Sequence, residues 1–162
     1  MADTKTEVNK WDEILDEYEK GLGIPKYQEW SMDENELNEY LTMSRNEIEK
    51  LSPEDCAQIS YRLGQFSFFV QRSSNREQAR YNWAEETIKS VIADEINSYK
   101  GYGYLEKSSQ AIKHNEKAYN LQKISKYAKQ RLDRLLYLAA SIKNLSDIMI
   151  SIQRLKVSMK NG

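Results

Sequence analysis

The longest patterned stretch of the chain lies in its last third. With Leu121 at position a of a heptad, position a holds Leu121, Ala128, Leu135, Ile142, Met149 and Lys156, and position d holds Ile124, Arg131, Leu138, Leu145, Ile152 and Met159. Ten of these twelve positions are apolar. A repeat sustained that long predicts a coiled coil or a long bundle helix with a partner-facing seam. Leu132 and Leu136 widen the stripe, so the helix is expected to bury more than one face, in a bundle or a ring of subunits.

Upstream, SPED at residues 52–55 is the clearest helix start: Ser52 can cap, Pro53 suits the first turn, and Glu54 and Asp55 favour the positive end of the dipole. From Ile59 the apolar positions Leu63, Phe66 and Val70 recur at steps of three and four, flanked by Tyr61, Phe68 and Phe69. A polar middle from Arg72 to Gln78 follows, and Ala79, Trp83, Ile88, Val91 and Ile92 resume the pattern. The helix is expected to end near Ser98, before the glycines of KGYGY at residues 100–104, which tolerate positive φ.

Two shorter segments precede it. Trp11, Ile14 or Leu15, and Tyr18 share a helical face that stops at a linker containing Gly21, Gly23 and Pro25. A sparsely apolar helix then starts at a Ser31 cap with Glu34 reaching back and continues through Leu37, Tyr40 and Leu41. Residues 1–50 read as an acidic, partly flexible helical extension, and residues 51–162 as the helical core with a basic C-terminal long helix. With six Gly and two Pro in 162 residues, the expected fold class is all-α, oligomeric through its long helices.

Charge sharpens this division. The formal net charge is -1, yet residues 1–60 carry 16 Asp and Glu against 6 Lys and Arg, while residues 61–162 carry 9 against 18. Residues 107–162 alone hold 12 Lys and Arg and, as acids, only Glu116, Asp133 and Asp147. A basic surface of this kind attracts phosphate backbones, and an acidic segment can compete for it or recruit a basic partner. Equally, the two segments can neutralise one another between subunits. No apolar run approaches the length of a membrane span, the N-terminus lacks a secretory pattern, and Cys56 is the sole cysteine. A cytoplasmic protein with no membrane partner is expected.

Catalytic patterns are missing from the sequence. His114 is the only histidine, Cys56 has no CxxC partner, and the close glycine pairs GLG and GYG form no phosphate loop. GxSxG and HExxH do not occur. No enzyme, metal or cofactor is expected. Cys56, one turn into a helix, reads either as a thiol of lowered pKa or as a small buried residue.

Binding chemistry is better represented. Arg72, Arg76 and Arg80, four residues apart, form a cationic strip on one helix face, with Trp83 one turn beyond as a stacking surface. Tyr102 and Tyr104, beside Lys100 and Lys107, offer rings and cations on a turn, and Lys123, Lys126 and Lys129 fall outside the heptad seam. Phosphate contact combined with base stacking suits a single strand bound without sequence preference. The competing reading packs the tyrosines on a neighbouring helix and pairs the arginines with carboxylates, for instance those of the first sixty residues.

Residues 75–160 carry a family resemblance. The turn KGYGY, the basic helix NLQKISKYAKQRLDRLLYLAASIKNLSD and the closing IMISIQRLK resemble the UvsY-type phage recombination mediators. The resemblance implies a helical, ring-forming, homo-oligomeric protein that binds single-stranded DNA. Such a protein helps load a RecA-like recombinase onto DNA coated by a single-strand binding protein, in the host cytoplasm for a phage-encoded chain. It also implies DNA contact near the aromatic-glycine turn, at Lys89 and Lys100. Asp94 and Glu95 depart from the family's basic lead into that turn. The alternative function is an oligomeric helical structural or adaptor protein, such as a phage assembly component, without nucleic-acid binding.

Overall fold

The computed structural model describes residues 2–24 and 34–160, with side chains described from residue 9 and again from residue 35. The fold is all-α. Helix α1 spans Ala2–Gly21, α2 Glu34–Thr42, α3 Arg45–Lys50, α4 Pro53–Ile92, α5 Tyr104–His114, α6 Glu116–Leu135 and α7 Leu138–Lys160, with a 3-10 turn at Ile96–Ser98. The expected Ser31 cap and Pro25 lie outside the described residues.

Helix α4 begins where SPED places it. The Asp55 N–H donates to Ser52 Oγ at 3.0 Å and the Ser52 N–H donates to Asp55 Oδ2 at 2.9 Å, so two free donors of the first turn are satisfied. The Ser52 hydroxyl, donating to Asp55 Oδ2 at 2.6 Å, and then the Ser52 N–H hold the Asp55 carboxyl below its ordinary range. The helix ends at Ile92, short of the expected Ser98. Asp94 and Glu95 follow in a turn, where the Glu95 N–H donates to the Ile92 carbonyl at 3.1 Å. Gly101 and Gly103 do not adopt positive φ; among the described residues Gly23 alone does. Gly101 serves a close approach instead, since a Cβ there would stand 3.1 Å from Glu106.

The chain divides into two compact units, Met1–Lys26 with Ser74–Asp133, and Tyr27–Ser73 with Arg134–Gly162. Helix α1 falls in the first unit and α2 and α3 in the second. The first unit is built on Ile88 and Ile92 of α4, Ala111 of α5, and Ala118 and Leu121 of α6, with Trp83, Tyr99, Ile112 and Ile124 packed around them.

The second unit centres on Cys56, Ile59, Leu63 and Val70 of α4 against Ala139, Ile142 and Met149 of α7. Leu37, Tyr40, Met43 and Leu51 pack on this core from α2, α3 and their flanks. Helix α2 is also tied down by charge, because Arg62 Nε and Nη2 donate to Glu36 at 2.8 and 2.6 Å and the Tyr40 hydroxyl donates to Glu36 at 2.6 Å. Burial pushes the Cys56 thiol up, which decides between the two readings of this residue in favour of the buried one.

Serine hydroxyls line the α4–α7 contact. Ser60 Oγ donates to the Ser146 carbonyl at 3.0 Å, Ser146 Oγ donates to the Ser60 carbonyl at 2.7 Å, and Ser67 Oγ donates to the Ala139 carbonyl at 2.8 Å. A step of seven forward on α4 meets a step of seven back on α7, so the helices are antiparallel. This contact rotates the seam away from the one expected. Position a is buried at Leu121, Ala128, Ile142 and Met149, but its partners are Ala118, Ser125, Leu132, Ala139 and Ser146. Of the expected d positions, Ile124, Leu145 and Ile152 are half-buried, and Arg131, Leu138 and Met159 are exposed. Small residues let helix backbones approach closely, and a buried hydroxyl with an acceptor carries little penalty.

Within Glu116–Lys160 one 18-residue window reaches a mean hydropathy of 1.3, long and apolar enough by composition to cross a membrane. The reading of run lengths misses it because serines and asparagine interrupt the apolar residues. Of that window 22% is buried inside the structure.

Candidate nucleic-acid interface

Arg72, Arg76 and Arg80 do not form an open strip. Arg72 is buried, 6% exposed, in the second unit. The other two belong to the first unit and meet the acidic face of α1. Arg76 Nη1 donates to Asp16 at 2.8 Å and to Glu19 at 3.0 Å, and Arg80 Nη2 donates to Asp12 at 2.8 Å. Arg80 Nη1 also donates to Glu77 at 2.7 Å, and Arg131 stands 3.0 Å from the same carboxylate as an ion pair. The Arg76 and Arg80 side chains are only 11% and 17% exposed. Of the two arrangements open from sequence, pairing with carboxylates of the first sixty residues is the one found, and it lies within one chain.

Burial works against the charge of Arg80, but Asp12 and Glu77 outweigh it and raise its pKa. Trp83 is similarly engaged. Its ring stacks on Trp11 with centroids 6.0 Å apart and planes 15° apart, leaving that face closed to a base. The sequence offered the acidic first sixty residues as partners but not the individual carboxylates, because Asp16 and Asp12 lie 60 and 68 residues from the arginines they bind.

The remaining expected contacts are open to solvent in varying degree. Tyr102 is fully exposed, and Tyr104 and Lys100 are exposed, whereas Lys107 is half-buried. The turn that carries them is braced. Gln110 Nε2 donates to the Lys100 carbonyl at 2.9 Å, and the Tyr102 N–H donates to Glu106 at 3.0 Å. Tyr99, by contrast, packs against His114 at 5.5 Å. Lys89 is exposed on α4.

Helix α6 presents the most coherent surface. Lys123 and Lys126 are exposed, and the Lys123 ammonium lies 4.3 Å from the Tyr119 ring centroid. Tyr119 and Tyr127, at four residues before and after Lys123, are 44% and 60% exposed. Tyrosine, lysine and tyrosine therefore succeed one another along one face, with Lys126 beside them. Lys129 is less available, since it pairs with Asp133 at 2.9 Å and that carboxylate raises its pKa. Tyr119 and Tyr127 were not among the expected contacts, though their spacing about Lys123 was a readable signal.

No family model, curated protein or solved structure matches this chain. Among the described residues no cluster of three or more His, Cys, Asp or Glu is placed to hold a metal.

Proposed function

We propose that this chain is a non-enzymatic single-stranded DNA-binding protein that acts as a recombination mediator, helping to load a RecA-like recombinase onto DNA coated by a single-strand binding protein. The observation that carries the binding step is the exposed row of Tyr119, Lys123 and Tyr127 with Lys126 beside it. The lysines attract phosphates as point charges, and the rings accept any base as a stacking partner. Tyr102, Tyr104 and Lys100 offer a second contact of the same chemistry, while Arg76 and Arg80 anchor α1. The mediator step rests on the resemblance of residues 75–160 to UvsY-type proteins.

The test is fluorescence anisotropy of a labelled polythymidine strand at two salt concentrations, beside a duplex control. The expected result is salt-sensitive binding that prefers the single strand. In a Lys123→Ala, Lys126→Ala variant the slope of log affinity against log salt should fall by about 1.4, for two lost phosphate contacts. No binding at low salt, or an unchanged slope in the variant, would sink this reading.

The carboxylates on Arg76 and Arg80 favour a second reading, a helical structural or adaptor protein of a phage whose opposite charges are satisfied internally. That protein would assemble without affinity for the strand, so the same titration separates the two.

A further inference from the structure

One face of the second unit is uncovered. Along it run two adjoining grooves of about 660 and 490 Å³, which share Gly64, Phe68 and Ser146 in their walls. The α4 side carries Tyr61, 67% exposed, and Phe68, 49% exposed, on either side of Gly64. The α7 side carries Ala140, Lys143, Asp147 and Ile150. An open apolar groove between two antiparallel helices is the half of a four-helix bundle.

The charges on this face identify what completes it. Lys143 and Asp147 are both exposed and stand one helical turn apart. We propose that the face docks on the same face of a second copy of the chain about a two-fold axis, with the two α7 helices antiparallel and the axis passing midway between Lys143 and Asp147. In that register Lys143 meets Asp147 of the second copy, and symmetry repeats the ion pair. Ala140 then lies opposite Ile150 of the second copy, small against large, as interdigitating helices require. The α7 side of the face is thus complementary to itself in charge and in size. The inference does not rest on nucleic-acid binding, and its readout is mass, not anisotropy.

Sedimentation velocity on the full chain tests it. The wild type should sediment as a dimer. Lys143→Glu and Asp147→Lys should each raise the dimer dissociation constant on the order of tenfold, since each places like charges at two symmetry-related contacts. An equimolar mixture of the two variants should recover the dimer, because each then supplies the charge the other lacks. A Gly64→Leu chain provides a control on shape. A Cβ at Gly64 has Ser146 Oγ at 3.9 Å as its nearest neighbour, an ordinary contact, and the rest of the leucine side chain is there to occupy the groove. It should be monomeric with unchanged helicity by circular dichroism. A monomeric wild type, single variants that dimerise as the wild type does, or a mixture that stays monomeric would each overturn the proposal.

Discussion

At Glu36 one carboxylate receives both the Arg62 guanidinium and the Tyr40 hydroxyl, and its pKa is held down to about 2 by the bond from Arg62 first and that from Tyr40 second. Burial first, then the Glu36 carboxylate, push Tyr40 up to about 12. A glutamate in an unfolded chain titrates near about 4.3, so in the interval down to the folded value the unfolded state takes up the extra proton. The stability that this contact contributes is complete above that interval and is lost as the pH falls through it. Glu36→Gln should therefore be less stable than wild type at neutral pH, with the gap closing as the pH approaches 2. Urea unfolding midpoints of both proteins across the acid range would show it; a gap independent of pH would refute the assignment.

Among the helices, α6 and α7 show what a heptad can and cannot tell. The period was legible, and so was burial at Leu121, Ala128, Ile142 and Met149. The direction of the seam was not, because Ser125 and Ser146 count as polar in a hydropathy pattern and yet are buried with partners on α4. Ser146 bonds to Ser60, and Ser125 donates to Glu85. The consequence is testable at two leucines that the pattern treats alike. Leu121 is 0% exposed and Leu138 is 41% exposed. Leu121→Ala should cost about 2–5 kcal/mol of stability and Leu138→Ala less than about 1 kcal/mol, as read from chemical denaturation. The start of α4 was similarly legible in Ser52 and Asp55, whereas its end at Ile92 came before the glycines that marked it in the sequence.

For the molecule as a whole, the opposed charges of the two ends take a concrete form in the contact between α1 and α4. Tyr102 and Tyr104 were legible as exposed rings, but the partners of Arg76 and Arg80 were not, since nothing local to the arginines marks a helix sixty residues earlier. Asp12→Asn, Asp16→Asn, Glu19→Gln removes three negative charges and takes the formal net charge from -1 to +2. Stability should fall by about 1–3 kcal/mol, because the largely buried Arg76 loses Asp16 and Glu19 and Arg80 keeps only Glu77. Association with a labelled single strand should meanwhile become faster and more sensitive to ionic strength, which stopped-flow mixing at two salt concentrations would measure.

Helix α4 gives its first half to one unit and its second half to the other. That division sets a timetable for synthesis. The segments of the first unit have all emerged once Asp133 has left the ribosome, but the second unit cannot close until α7 arrives, and Ser60 waits 86 residues for Ser146. During that interval Cys56, Leu63 and Val70 have no α7 to cover them. The early half of α4 thus stays open to chaperones until α7 is made, and α7 decides whether it is buried.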